Sequence, residues 1–228
     1  MRDDICTIPV SEVFEVNDGC PLCRMERIVE ERILNYILGD AMMEPDVRIE
    51  TNKVGFCLHH FDKMYNRRGR LQLALMLETH IKETEKNIFD KKLFSSAGKK
   101  AARVKKLSES CFICNKMEWG LSRMLDTIYR CYEAQSDFRD MFNNQPMFCL
   151  KHYERLVDNL EKSKCPKHHK ELVDNLTRIT CKYLESLSGD ISKYCTMYDY
   201  RSKGDDFGTS RDAVERCIDF LCSSDYSK

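Results

Sequence analysis

Four short motifs in this chain carry the residue types and spacing of metal ligands: Cys20-x-x-Cys23, Cys57-x-x-His60, Cys111-x-x-Cys114 and Cys149-x-x-His152. Zinc takes four ligands in a tetrahedron and favours cysteine thiolates and histidine nitrogens. A spacing of three puts both members of a motif on one helix face, so each motif can offer two donors to one ion. Each motif also falls near a predicted helix start, where free N–H groups and the positive end of the dipole favour a thiolate. Two motifs together complete a Cys₃His site. Four protein ligands close such a site, which points to structure rather than hydrolysis. An iron–sulfur cluster is the alternative cofactor, because cysteine is its usual ligand and histidine occasionally replaces it. A thiol–disulfide switch is a third reading, although the strand–helix–strand pattern of the thioredoxin type is missing. Sensing by oxidation and metal loss also fits thiolate chemistry.

The elements that must position these ligands come from an internal repeat. Sliding the sequence by about 91 residues aligns Cys20–Phe61 with Cys111–Tyr153. Arg32, Leu34, Asp46 and Arg48 then match Arg123, Leu125, Asp137 and Arg139. After one inserted residue, Phe56-Cys57-Leu58 and His60 match Phe148-Cys149-Leu150 and His152. The expected architecture is all-α: two tandem helical repeats, each pinned by its own Cys₃His site. The domains would be residues 1–94, a linker 95–110, and residues 111–228 with the terminal helix. Closure within each copy is favoured because both copies keep the same spacing. A swapped arrangement, with Cys20 and Cys23 meeting Cys149 and His152, is the other solution.

Apolar residues at Met25, Ile28, Val29, Ile33, Tyr36 and Ile37 mark one face of a first helix. Pro21 suits its first turn and Gly39 its end. Short helices are expected over 45–50 and 136–142, and another from Phe56 to about Tyr65. A longer one over 70–89 carries Leu71, Leu75, Leu77, Ile81 and Ile88 inward, and another spans 169–187. Residues 95–110, rich in lysine and small side chains, read as an exposed linker or frayed helix end. Ser210 is the expected N-cap of a last helix carrying Val214, Cys217, Ile218 and Leu221. Trp119 is expected in the core.

Among the other cysteines, Cys165-Pro-Lys-His168-His169 offers half a further site without a second half, and reads as an exposed turn. Cys181, Cys217 and Cys222 read as small core residues. The pair Glu30-Glu31 reads as a solvated face, His80 as an ordinary histidine, and His59 as facing away from the metal.

Lysine plus arginine balance aspartate plus glutamate at 37 each over 228 residues. No net charge therefore draws the chain to nucleic acid or membrane. Charged residues at 32% and hydrophobic ones at 42% suit a helix-rich soluble protein. No apolar run approaches the length of a membrane span, and the acidic N-terminus has no signal core. The thirteen cysteines accordingly suggest ligands in a reducing cytoplasm rather than a disulfide framework. Phosphate loops, nucleophile elbows and zinc-protease helices are absent from the sequence.

The segments CPLCRMER from Cys20, AMMEPDVRIETNKVGFCLHHF from Ala41, LALMLETHI from Leu73 and MFCLKHY from Met147 resemble a family of bacterial proteins known as a domain of unknown function. The resemblance covers nearly the whole chain. It implies a soluble bacterial protein with two cysteine-and-histidine sites, and no particular activity. The leading functional expectation is a non-enzymatic zinc scaffold, holding two ions and serving protein interaction or regulation. A redox or iron–sulfur protein comes second. Nucleic-acid binding through Lys99, Lys100, Arg103, Lys105 and Lys106 comes last, because charge is balanced and no base-reading helix is recognisable.

Overall fold

The computed structural model describes residues 7–89, 96–161, 164–202 and 206–223. Among them every regular element is helical, as the apolar spacing predicts. The helices are α1 (Thr7–Glu15), α2 (Pro21–Leu38), α3 (Pro45–Val54), α4 (Leu58–Tyr65), α5 (Arg70–Thr84), α6 (Ala97–Ser108), α7 (Phe112–Ala134), α8 (Ser136–Asn143), α9 (Leu150–Asp158), α10 (His169–Thr196) and α11 (Ala213–Cys222). No helix among the described residues is long and apolar enough to cross a membrane.

Local chemistry sets many of these ends. Pro21 and Pro45 are the first residues of α2 and α3, where a missing N–H removes no helical bond. Gly55 ends α3 with φ +69°, and its amide donates to the Thr51 carbonyl at 2.8 Å. A side chain there would be strained and its Cβ would come within 3.1 Å of the His80 ring, so the turn into α4 needs glycine.

The chain forms two compact units, and they do not follow the expected division at 95–110. One combines the residues up to Glu26 with those from Ser122 onward, and the other is Arg27–Leu121. The expected boundary followed the duplication. The packing instead groups the first turns of α2 with α8–α11, and the first turns of α7 with α3–α6.

The first unit is built on aromatic rings. Phe14 of α1 lies 5.0 Å from Phe138 and 5.6 Å from Phe142 of α8, between ring centroids. Phe142 also meets Tyr132 at 5.1 Å and Phe148 at 4.9 Å. All are buried, and such pairs add specific geometry to the area they remove from water. The Gln145 amide donates to the Phe14 carbonyl at 2.6 Å, and the Tyr129 hydroxyl to the Leu156 carbonyl at 2.9 Å. Helix α10 packs against α8, α9 and α11.

The second unit centres on Leu34 and Ile37 of α2, Met64 of α4, Leu73 and Met76 of α5, and Phe112 and Ile113 of α7. Arg48 of α3 donates to the Leu75 carbonyl at 2.8 Å and to Thr79 Oγ1 at 2.9 Å, which fastens α3 to α5.

Several inward faces differ from those the spacing suggested. In α5 the buried residues are Leu73 and Met76, whereas Leu71 and Ile81 are exposed. A π-helical turn over Glu85–Phe89 follows α5 and brings Ile88 inside. Trp119 is 61% exposed, because α7 buries the face carrying Ile113, Leu121, Leu125 and Ile128 instead. Cys181 and Cys222 are exposed and Cys217 half-buried, so they are not core residues. Residues 97–108 of the expected linker form α6, and Ser110 after it donates to the Val54 carbonyl at 2.6 Å. Ser210 is buried and donates to the Phe207 carbonyl, while Asp212 precedes α11. Cys6 lies outside the described residues.

The revised face of α5 gives a direct test. Leu73→Ala is expected to cost about 2–5 kcal/mol and Leu71→Ala less than about 1 kcal/mol, read as shifts of the urea midpoint. Equal losses would restore the face inferred from spacing.

Candidate metal centres

Two clusters of three cysteines and one histidine are present, and each lies within one unit. Their membership corrects the expected closure within each copy. Cys20 and Cys23 meet Cys149 and His152, while Cys111 and Cys114 meet Cys57 and His60. Each cluster therefore takes its Cys-x-x-Cys motif from one copy and its Cys-x-x-His motif from the other. Equal spacing within copies cannot distinguish this exchange from local closure, since both schemes use the same motifs.

Helix starts place all eight side chains. Cys20 and Cys111 immediately precede α2 and α7, and their carbonyls accept from the amides of Arg24 and Asn115. Cys57 and Cys149 are the N-caps of α4 and α9, both with extended backbone, and their carbonyls accept from Phe61 and Tyr153. Two N-termini thus converge on each cluster. Their unpaired N–H groups and dipoles favour the negative charge that three thiolates bring.

The four donor atoms of each cluster lie within 4.8 Å of one another. In the first cluster His152 Nδ1 lies 3.5, 3.3 and 3.1 Å from the Sγ atoms of Cys20, Cys23 and Cys149. The Cys23 and Cys149 sulfurs are 3.6 Å apart. In the second, His60 Nδ1 lies 3.1, 3.3 and 3.4 Å from Cys57, Cys111 and Cys114, and the Cys57 and Cys114 sulfurs are 3.9 Å apart. Zinc–sulfur bonds of about 2.3 Å and zinc–nitrogen bonds of about 2.0–2.1 Å imply tetrahedral edges of roughly 3.6 Å for N···S and roughly 3.8 Å for S···S. The N···S separations of 3.1–3.5 Å are shorter than that edge, and the S···S separations of 3.6 and 3.9 Å fall on either side of theirs.

The opposite ring nitrogens meet carboxylates that the sequence reading missed. His152 Nε2 faces Glu26 Oε1 at 3.1 Å, and His60 Nε2 faces Glu30 Oε1 at 3.1 Å. At His60 this contact is a hydrogen bond, and an Nε2–H directed at a carboxylate leaves the Nδ1 lone pair free for a metal among the sulfurs. At His152 the buried Nε2 lies at ion-pair distance from Glu26 without an aligned hydrogen bond. Glu26 also pairs with Lys151 at 2.9 Å, and Glu30 with Lys63 at 2.7 Å. His59 Nε2 approaches Glu30 at 3.4 Å, so this histidine belongs to the surroundings of the second cluster. Glu30, expected on a solvated face, is buried. Neither acid could be found from the repeat, because the positions matching Glu26 and Glu30 are Met117 and Leu121.

Proton affinities within the side chains follow the same contacts. Burial works against a charged Glu30, but hydrogen bonds from His60 and Lys63 override it and hold the carboxyl down to about 2. Burial likewise disfavours charge on His60 and His152. With no cation among the sulfurs, hydrogen bonds to cysteine and the nearby carboxylate raise them to about 10 and about 11, so a proton stands on the ring where a metal ion would displace it. Cys111 feels the penalty of burial, yet His60 and neighbouring amides bring it down to about 6. Burial and the nearby Cys111 push Cys114 up to about 12. Burial also raises Cys20, whereas hydrogen bonds from Cys149 and Cys20 lower Cys23.

The clusters differ in access. Cys20, Cys23, Cys149 and His152 are all buried, and Ser223 at the end of α11 brings its hydroxyl within 3.4 Å of Cys23 Sγ. In the second cluster His60 and Cys111 are buried, Cys57 is half-buried and Cys114 is exposed. Cys165, expected in an exposed turn, is fully buried, with its thiol 3.3 Å from Glu133. His168 contacts Glu171 instead, and no third cysteine–histidine cluster forms among the described residues.

The fold and sites define an all-α protein with two Cys₃His clusters that could hold metal ions. The chain belongs to a family of unknown function (DUF6062), whose model matches residues 1–228. No curated protein and no solved structure matches it.

Counting zinc on paired variants reads the ligand pairing. Cys20→Ser with His152→Ala touches one cluster and is expected to leave one ion per chain after reconstitution. Cys20→Ser with His60→Ala touches both and is expected to leave none; the reverse pattern would reinstate closure within copies. Separately, Glu30→Gln is expected to weaken zinc about 10–100-fold at the second cluster only. Competition with a chromophoric chelator measures this, and unchanged affinity would remove Glu30 from the site.

Proposed function

We propose that this chain is a zinc-binding helical scaffold, holding one ion in each cluster and serving protein interaction or regulation rather than catalysis. The supporting observation is the convergence of three sulfurs and one imidazole nitrogen within 4.8 Å of one another in each cluster, the donor set of a tetrahedral zinc site. Cysteine and imidazole donors suit zinc, and a carboxylate lies behind each histidine, hydrogen-bonded to the ring at His60. Cys20, Cys23, Cys149 and His152 hold the first ion. Cys57, His60, Cys111 and Cys114 hold the second. The ions supply charge neutralisation among three thiolates and tie together helix starts distant in sequence.

Four protein donors fill the coordination shell and leave no position for an activated water. That favours a structural role. The exposed cations of α6 are balanced elsewhere in the chain, so nucleic acid ranks below a protein partner.

Elemental analysis of protein made with adequate zinc is expected to find about two zinc ions per chain and no visible absorption. Chelation should reduce helix content, because metal-binding energy contributes to folding. Acidification should release zinc, since falling pH returns protons to the thiolates that hold it. Zinc-free protein would overturn the scaffold reading, and charge-transfer absorption with stoichiometric iron would replace it with an iron–sulfur reading.

A further inference from the structure

The two clusters have the same ligand set but unequal cover, and that contrast carries a further step resting on the zinc reading. Thiolate reactivity depends on nucleophilicity and on access. The donor set is identical at the two sites. Access is not. Cys20, Cys23 and Cys149 are 7%, 4% and 0% exposed, and Ser223 of the α11 terminus sits against Cys23. Cys114 is exposed and its sulfur lies 3.9 Å from that of half-buried Cys57, while Cys111 is only 4% exposed.

We propose that Cys114 is an oxidative modification site, and that a peroxide converts Cys57 and Cys114 into a disulfide that expels the second zinc while the first stays bound. The Cys114 thiolate attacks one peroxide oxygen; an S–O bond forms, the O–O bond breaks, and hydroxide leaves. The Cys57 thiolate then attacks the Cys114 sulfur, forming the S–S bond and displacing a second hydroxide. Two thiolates lose two electrons in total, and the peroxide is reduced to two hydroxides that take up protons as water. The ion is left with His60 and Cys111, too few donors for a closed site. Disulfide reduction by a thiol reductant restores both ligands, which makes the change reversible.

Two units lie on one chain, so the protein supplies its own control. Full-length protein shown by elemental analysis to hold two zinc ions is treated with limiting hydrogen peroxide beside a zinc-sensitive dye. One ion per chain should leave at least tenfold faster than the other. Alkylation and peptide mapping at that point should find a Cys57–Cys114 disulfide, with Cys20, Cys23 and Cys149 still alkylated as free thiols. Reductant and zinc should then return the chain to two ions. Equal release from both clusters, earlier oxidation at the first cluster, or a Cys111–Cys114 bridge would overturn the proposal. Cys114→Ser should abolish the fast phase; because that variant can also lose its zinc, the wild-type peptide map decides. Fewer than two ions before peroxide is added would instead sink the zinc reading, and the proposal with it.

Discussion

Three sulfurs and an imidazole nitrogen within 4.8 Å of one another, with helix N-termini directed at them, are the constraint on which each unit depends. Three thiolates at that distance repel one another unless a cation or protons intervene. The N-termini and their orphan N–H groups lessen that cost without removing it. A divalent ion removes it and gives four donors one common geometry. Because each donor is attached at a helix start, the geometry of the cluster is also the geometry of two helices.

The cross-copy pairing gives this constraint long reach. Cys20 and Cys23 contact His152 across 132 and 129 residues, and Cys57 contacts Cys114 across 57. Contacts so distant in sequence close large loops, and their entropic cost must be met before they contribute. Neither copy can complete a site with its exchanged partner motif until the other is in place. The exchange also explains why the compact units are interleaved rather than consecutive.

The two clusters have similar donor types but unequal surroundings. Both carboxylates behind the histidines come from α2, one turn apart at Glu26 and Glu30, although the histidines themselves sit on α4 and α9. Each acid has a lysine beside it, Lys151 or Lys63. The lysine limits the cost of burying a carboxylate. The first cluster is covered by the end of α11, whereas the second reaches the surface through Cys114. A shared set of cysteine and histidine side chains therefore sits in two different degrees of contact with solvent.

The cysteines and histidines that cluster, and the helical class, were legible in the sequence because they are matters of residue type and short-range spacing. Pro21, Gly39 and the Cys-x-x-His helix starts announce themselves through local backbone chemistry. Other features have no local signal. Apolar residues on more than one side of α5 and α7 left Leu71 and Trp119 as plausible core residues, and only the packing of neighbouring helices selected Leu73, Met76 and Leu121 instead. Glu30 read as a surface acid and Glu26 carried no signal at all, because nothing in the repeat corresponds to either. Most of all, two equivalent motifs of each kind allow two pairings with the same ligand chemistry. The sequence alone determined that Cys₃His sites could form; tertiary structure decided which motifs meet, because that choice depends on where whole helices pack.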